Sequence, residues 1–411
     1  MFSKTRLFTP GPTPLLPSAQ FAMAAADIHH RTPEFKQLML RVRDGLQKFI
    51  GTTNDVIILA SSGTGAMEAA VTNLTSPGDE VLVLSAGKFG ERWTGLAKAY
   101  GCKATVVSAP YGESISIDEV RKALTPQTRV VFMQATESST GARHCVEAVA
   151  ELLARTETLL VVDAITGLGT THLRVDGLID VIIGGSQKAL MIPPGLAYLA
   201  ISERGWARME TSTQPRYYFD LRKERKSQVK GETSYTPAVA LIAAMGAALD
   251  YLAAKAVGDV AAGRELLVEN AELCAEMTRS AALALGLELF APTAPAAAAT
   301  AIKAPANFTA TDIVKRLKSD FSTIVTDGQG EMKGLIFRIA HIGFFDYMDT
   351  IAVIGALEQV LHAFDSKYVL GRGLTAAQQT YLAHARGSAP KLCACGRDAQ
   401  KCLVKREGAR A

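Results

Sequence analysis

One pattern repeats between Gly51 and Asp180: a short β-branched or aliphatic run, a turn containing Gly or Ser, then a longer stretch with helical spacing. Such alternation favours a mostly parallel sheet that is covered by helices on both faces. The predicted strands are Val56–Leu59, Glu80–Leu84, Lys103–Val107, Arg129–Met133, Leu159–Val162 and Val181–Gly184. Ligands of these sheets bind at the carboxyl ends of the strands, so we expect functional residues in the loops that follow the six runs.

The length of the chain predicts more than one domain, because 411 residues exceed what a single compact core usually contains. We expect an N-terminal arm (1–17), a large α/β domain (18–257), a smaller C-terminal α+β domain (258–366) and a tail of uncertain order (367–411). Outside the repeating region, the predicted elements are helices at Ala238–Ala254, Val260–Leu285, Thr311–Leu317 and Thr350–Phe364, a strand at Gly334–His341, and loop and edge structure at Ala291–Ala306.

The composition is that of an ordinary globular enzyme. Lys and Arg together number 44 against 40 Asp and Glu, so the net charge is only +4 and no nucleic-acid or membrane partner is expected. No signal-peptide core and no apolar run of about 18 residues is present. Six cysteines without the density of a disulfide scaffold predict a reducing, cytoplasmic location. Cys393, Cys395 and Cys402 lack a fourth ligand at zinc spacing, so no metal site is expected.

A turn of small residues, Ser61–Glu68, follows the first predicted strand and begins a helical run. Backbone N–H groups and hydroxyls at such a helix start can hold a phosphate, aided by the helix dipole. A glycine-rich turn that binds nothing is the alternative. The run has neither the Lys-Ser/Thr ending of a P-loop nor the Gly-x-Ser-x-Gly elbow of hydrolases.

Asp163 ends the hydrophobic strand that contains Val161 and Val162. Burial there raises the pKa of a carboxyl group unless a cation or a strong donor pairs with it. A protonated pyridine nitrogen would be such a partner. The alternative is an aspartate that caps the following turn.

Lys188 follows the next predicted strand, in the glycine turn Ile183–Leu190, where its neighbours are apolar or small. Lysine is rarely buried for packing alone. Desolvation lowers the pKa of the ammonium group and yields the neutral amine that a Schiff base requires. A phosphate-type turn, Asp163 and Lys188 together match the phosphate, ring nitrogen and aldehyde of pyridoxal 5'-phosphate (PLP).

Three motifs, Val162–Ala164, Gly185–Ala189 and Pro193–Gly195, resemble the class V aminotransferases, and most closely the alanine–glyoxylate and serine–pyruvate group. The resemblance extends from Thr9 to about Leu361. It implies a fold-type I PLP enzyme: a large domain with a mostly parallel sheet, a smaller C-terminal domain, and a homodimer with active sites at the subunit interface.

The resemblance also assigns roles to individual residues. Lys188 is the Schiff-base lysine and proton carrier, and Asp163 the partner of the pyridine nitrogen. The remaining assignments are Ser62, Gly63, Thr64, Gly65, Ala66 and Gln187 near the phosphate, Ser138 near the cofactor O3′, Phe89 stacked on the ring, Thr236 with Tyr235 reaching the neighbouring subunit's phosphate, and Arg338 with Gly11 at the substrate.

Two of these assignments have structural alternatives, and one nearby pair carries no assignment. Phe89 could belong to the core, and Arg338 could be a strand-edge arginine that points to solvent. His29 and His30 match a segment near the active-site entrance of the family, but no chemical role transfers to them.

The predicted reaction is ping-pong transamination between alanine or serine and glyoxylate or pyruvate. A desulfurase or another PLP lyase is one rival, although Gln187 stands where desulfurases have His and no Cys occupies a suitable loop of the terminal domain. A non-catalytic subunit of a soluble hydrogenase is another. Nicotinamide binding at Gly167-Leu168-Gly169 is excluded because the third glycine of the pattern is missing.

Overall fold

The computed structural model describes residues 4–25 and 27–386. The elements up to the end of the central sheet are β1 (Arg6–Leu7), α1 (Pro17–Ala25), α2 (Pro33–Ile50), β2 (Asp55–Leu59), α3 (Gly63–Leu74), β3 (Glu80–Ser85), α4 (Lys88–Ala99), β4 (Lys103–Ser108), α5 (Ile117–Ala123), β5 (Thr128–Gln134), β6 (Thr136–Glu137), β7 (Ala142–Arg143), α6 (Val146–Leu153), β8 (Leu159–Asp163), β9 (Val181–Gly185) and β10 (Ala197–Ile201).

The later elements are mainly helical. They are α7 (Glu203–Met209), α8 (Leu221–Gln228), α9 (Val239–Lys255), α10 (Val260–Ala284), β11 (Ala299–Lys303), α11 (Ala310–Phe321), β12 (Thr323–Ile324), β13 (Thr326–Asp327), a 3-10 turn at Gly330–Met332, β14 (Ile336–Ala340), α12 (Tyr347–Phe364) and α13 (Arg372–Ala385).

The central sheet has the strand order β2-β10-β9-β8-β5-β3-β4. Strands β9, β8, β5, β3 and β4 run parallel to one another, and together with β2 they confirm the six predicted strands and the α/β fold class. Strand β10 was not predicted. It runs antiparallel to both β2 and β9, because the chain returns through a short loop after β9 instead of crossing over through a helix.

Successive side chains of each central strand point to opposite faces of the sheet and pack into two different hydrophobic cores. On β5, Val131 and Met133 pack with α2, α6 and α9, whereas Val130 and Phe132 pack with α3, α4 and α7. Trp93 of α4 stacks on Phe132, with the ring centroids 4.7 Å apart. This double coverage explains why the strands read as continuous apolar runs, and it leaves the carboxyl edge of the sheet as the place where polar side chains gather.

The C-terminal part is built around the antiparallel sheet β11-β14-β13 and a core that it shares with α10, α11 and α12. The N-terminal segment joins this part, since β1 pairs with β12 through Arg6 and Thr323. Helix α10 contacts α9 and α2 as well as α12 and α13, so it links the two cores.

The prediction of a tail of uncertain order from residue 367 is wrong for the segment that forms α13. This helix packs on α10, and the buried carboxylate of Glu358 on α12 accepts hydrogen bonds from the amides of Gly371, Gly373 and Leu374 at its start. A carboxylate at a helix start satisfies otherwise unpaired N–H groups and complements the helix dipole. Cys393, Cys395 and Cys402 lie outside the described residues.

In the described part of the chain, no single helix is long and apolar enough to cross a membrane. Helices α9 and α10 together have the length and composition of a membrane span, but the pair is bent by 82° at its junction.

Candidate functional site

The candidate site lies at the carboxyl edge of the central sheet. Asp163, the last residue of β8, is in register with Gln134 of β5 on one side and with Ile183 of β9 on the other. Lys188 follows β9, and the turn that begins α3 follows β2. Parallel neighbours present their ends at one edge, so the local order of the sequence places the predicted groups on the same side of the molecule.

The side chain of Lys188 is buried, and its Nζ donates a hydrogen bond to the carbonyl of Pro10. No carboxylate within the described residues forms an ion pair with it. Burial lowers the pKa of Lys188 to about 8, with a small opposing effect of Asp163 and further lowering by Arg338 and Arg92. The fraction of neutral amine near neutral pH is therefore far larger than for an ordinary lysine, as a nucleophilic lysine requires.

Two residues of the N-terminal segment hold the lysine turn in place. Thr13 Oγ1 donates to the carbonyls of Gln187 and Lys188, at 3.2 and 3.1 Å. Gly11 has a φ of +143°, and a Cβ at this position would lie 2.5 Å from the Nζ of Lys188. Only glycine therefore suits position 11, because both the backbone conformation and the adjacent amine exclude a side chain.

Asp163 is buried and accepts one hydrogen bond on Oδ1, from the amide of Ile165 at 2.9 Å. Burial, with a contribution from the charge of Glu137, raises the pKa of Asp163 to about 6, although the hydrogen bond from Ile165 and the charges of Lys188 and Arg92 oppose the shift. A carboxyl group in this setting is stabilised as the anion by a cationic donor on its other oxygen. The protonated ring nitrogen of PLP is such a donor, so the site fits the cofactor at this end.

The start of α3 supplies the predicted phosphate turn. The Ser62 side chain makes no capping bond to the helix, and the turn's first backbone bond runs from Gly65 N to Ser62 O, at 3.0 Å. The amides of Gly63 and Thr64 consequently have no helical partner and are available to an anion. Any side chain at position 63 would collide with Ile165. Glycine at this position therefore keeps the turn open. Gln187 carries a buried Oε1 without a partner; this oxygen is an acceptor, so it does not itself bind an anion.

Phe89 lies in the first turn of α4, half-buried and outside the described hydrophobic clusters, so the alternative of a core residue is wrong. Glu137, which no sequence motif identified, holds the backbone of Phe89 in place. Glu137 Oε2 accepts from the amides of Phe89 and Gly90, both at 3.1 Å. Its Oε1 accepts from the amide and hydroxyl of Ser139, at 3.2 and 2.5 Å. An acidic residue three positions after Gln134, the end of β5, was the available sequence signal.

Arg338 is buried in β14, the middle strand of the C-terminal sheet, so the alternative of a solvent-facing strand-edge arginine is wrong. Nη1 donates to the carbonyl of Ser138 at 2.8 Å, and Nη2 to that of Asp327 at 2.7 Å. Its Nε is buried without a partner. Burial lowers the pKa of Arg338 to about 10, which still leaves the guanidinium charged at neutral pH. Since no described carboxylate forms an ion pair with it, this cation can accept a substrate carboxylate.

Tyr235 and Thr236 belong to a different set of contacts. The Tyr235 hydroxyl donates to the carbonyl of Tyr217 at 2.9 Å and accepts from Lys223 Nζ at 3.1 Å, and its ring stacks on Tyr218. Thr236 is exposed. Within one chain the structure shows no hydrogen bond from either residue to the phosphate turn.

Arg92 is a second residue that the sequence analysis missed. It is three positions after Phe89 on α4, so the two side chains share a helix face, and its guanidinium lies 4.9 Å from the Phe89 ring centroid. Arg92 Nη1 donates to Thr64 Oγ1 at 3.0 Å. The spacing of three was the signal that could have identified it.

Known proteins are similar to this chain in sequence and in fold. The sequence profile of the family described as aminotransferase class-V matches residues 18–317. A Synechococcus protein named as the small subunit of a soluble hydrogenase is 37% identical over 387 residues, which cover 92% of this chain and 99% of that protein.

The L-aspartate–glyoxylate aminotransferase of Paracoccus denitrificans is 32% identical over 391 residues, which cover 93% of this chain and 97% of that enzyme. The solved structure of an alanine–glyoxylate aminotransferase from Nostoc superposes with a TM-score of 0.81 at 29% identity, covering 88% of this chain and 96% of that one.

Proposed function

Because this chain belongs to the class V aminotransferases, which are PLP enzymes, we propose that it transfers an amino group between alanine or serine and glyoxylate or pyruvate by a ping-pong mechanism. The observation that carries the proposal is the pairing of a buried amine of lowered pKa, Lys188, with a buried guanidinium that lacks an anionic partner, Arg338. The amine of Lys188 suits the chemistry of amino-group transfer, and the guanidinium of Arg338 suits the binding of a substrate carboxylate.

PLP, when bound, supplies an aldehyde that captures the amino group and a ring that absorbs the electrons released at the substrate Cα. Lys188 would hold the aldehyde carbon. Asp163 would keep the ring nitrogen protonated, and a cation there would in turn hold the carboxyl group ionised despite the burial that raises its pKa.

With PLP bound, the amine of Lys188 would be the group that takes up and moves the proton of the substrate Cα, which is general acid–base catalysis by one positioned group. Arg338 orients the acid by two parallel hydrogen bonds to its carboxylate. One N–H of Nη1 and one of Nη2 donate to the carbonyls of Ser138 and Asp327, and Nε has no partner, so N–H donors remain for the substrate carboxylate.

The names of the relatives support the choice of substrates. Glyoxylate occurs in the names of both the Paracoccus enzyme and the Nostoc enzyme, whereas the donors differ, aspartate in one and alanine in the other. The four acids of the proposal, alanine, serine, glyoxylate and pyruvate, each carry one carboxylate, which a single arginine can bind.

A role as a hydrogenase subunit is the second candidate, favoured by the name of the Synechococcus relative. A purely structural subunit needs neither a desolvated lysine nor an unpaired buried arginine. A desulfurase would need a mobile nucleophilic cysteine, whereas Cys102 and Cys274 are buried and Cys145 is half-buried among the described residues.

A screen of half-reactions tests the proposed function. The purified protein is mixed with single amino acids, and conversion of bound PLP to pyridoxamine phosphate is followed by absorbance. We expect fast conversion with alanine or serine, reversal on addition of glyoxylate or pyruvate, and slow conversion with larger donors. Conversion with aspartate alone would reject the proposed donors, and a protein that binds PLP but converts with no amino acid would favour the subunit role.

We also propose that the chain acts as a homodimer, in which Thr236 reaches the phosphate of the neighbouring subunit. The exposure of Thr236 and of the aromatic side chains Phe21 (76%) and Tyr217 (77%) supports this proposal, since a second chain would cover them.

Hybrid dimers test the homodimer. Thr236→Ala is expected to weaken PLP retention, and mixing these chains with Lys188→Ala chains should restore activity in part. One site of the hybrid then carries both defects and the other carries neither. If subunit exchange is confirmed and activity stays at the sum of the two parents, phosphate binding across the interface is rejected.

A further inference from the structure

The phosphate turn at the start of α3 lacks a full positive charge of its own. Its members, Ser62, Gly63, Thr64, Gly65 and Ala66, offer only hydroxyls and amides. A helix start contributes the equivalent of roughly half an elementary charge. The phosphate of PLP carries between about one and a half and two negative charges near neutral pH, as phosphate monoesters do. The turn therefore neutralises only part of the negative charge of the phosphate, and a nearby cation would neutralise the rest.

Arg92 is the cation that touches this turn. Its Nη1 donates to the hydroxyl of Thr64 at 3.0 Å, from the neighbouring helix α4. No carboxylate of the described residues forms an ion pair with Arg92. The adjacent Glu91 is already engaged, because it pairs with Lys88 at 2.9 Å and accepts a hydrogen bond from Tyr111. The guanidinium retains donors that no anion occupies.

The position of Arg92 relative to the other cofactor groups agrees with this role. Its guanidinium lies against the ring of Phe89, the residue assigned to stack on the cofactor ring. Its charge also lowers the pKa of both Asp163 and Lys188, so it acts on the groups assigned to the ring nitrogen and the aldehyde. One side chain thus contacts or influences every part of the proposed cradle.

We propose that Arg92 is the guanidinium counter-ion of the cofactor phosphate. The inference rests on the assignment of residues 62–66 as the phosphate turn, and it does not depend on which amino acid is the substrate. Arg92 keeps its hydrogen bond to Thr64 and directs its remaining N–H groups to the phosphate oxygens, in the forked geometry that guanidinium groups adopt with phosphate.

Binding of two probes to the cofactor-free full-length protein tests the proposal. PLP and pyridoxal differ only in the phosphate, and the binding of each can be titrated by absorbance. We expect Arg92→Gln to weaken PLP binding at least about fivefold and pyridoxal binding much less, since a charge-assisted bond at an exposed site retains only part of its strength. Arg92→Lys should recover part of the loss.

Lys98→Gln is the matched control, because Lys98 is an exposed cation on the same helix away from the turn. It should change neither affinity. Inorganic phosphate should compete with PLP less effectively in Arg92→Gln than in the unchanged protein. Equal weakening of PLP and pyridoxal would show that Arg92 acts through the Phe89 ring, and unchanged PLP affinity would exclude any role; either result overturns the proposal. Should the half-reaction screen fail while the loss stays specific to PLP, this inference stands and the proposed function falls.

Discussion

Reduction of the purified, yellow protein with borohydride is expected to attach the cofactor covalently to Lys188 and to no other lysine. The reason is the environment of its Nζ, which is buried and, within the described residues, donates a hydrogen bond to the carbonyl of Pro10. Peptide mass spectrometry locates the phosphopyridoxyl group. Its appearance on a different lysine, or on none, would show that the assignment is wrong.

Lys188→Ala is expected to lower the rate of the half-reaction with alanine by about a thousandfold or more, since a positioned acid–base group contributes about 10² to 10⁴ and this residue also holds the cofactor. Lys122→Ala removes an exposed surface lysine and should leave the rate unchanged. A Lys188→Ala protein with near-normal rates would exclude the proposed proton transfer.

The pH dependence of the free amine provides an independent check on Lys188. Burial lowers its pKa from 10.5 to about 8, so the neutral amine forms as pH rises through about 8. In the cofactor-free protein, acylation of Lys188 by an amine-specific reagent should therefore reach half its maximal rate near pH 8. An unchanged profile centred above pH 10 would contradict the desolvation argument.

Arg338→Ala is expected to lower kcat/KM for alanine by roughly tenfold to a hundredfold, because a hydrogen-bonded pair with a charged group contributes about 1.5 to 3 kcal/mol. PLP should remain bound. Arg338→Lys should recover only part of the loss, since an ammonium group cannot reproduce the planar fork. The measurement compares half-reaction rates for alanine with those for a simple amine that lacks a carboxylate, which should be slowed little.

The hydrogen bonds of Arg338 to Ser138 and Asp327 call for a second measurement, because its removal leaves two carbonyl groups without their donor. Thermal unfolding of each variant separates this effect from substrate binding. If Arg338→Ala slows both amines equally, or releases PLP, then Arg338 holds the C-terminal part against the central sheet and the argument for small acids loses its main support.

The sequence determined the family, the strand pattern and the position of Lys188 and Asp163. These features depend on short segments: an apolar run predicts a strand, and a polar residue directly after such a run lies at the carboxyl edge of the sheet. The family, the fold class and the cofactor predicted from those motifs are confirmed. The roles of the individual site residues remain predictions.

Tertiary structure alone decided which distant residues complete the site. Pro10 and Lys188 are 178 positions apart, and Arg338 and Ser138 are 200 apart, yet each pair is hydrogen-bonded. Glu137 fixes the start of α4 in the same way, and Arg92 joins α4 to α3. No local pattern encodes such contacts, because they depend on how helices pack on the sheet after the strands have formed. The sequence specified the groups that can do the chemistry, whereas packing decided which of them are buried, which lack a partner, and which can therefore bind a cofactor or a substrate.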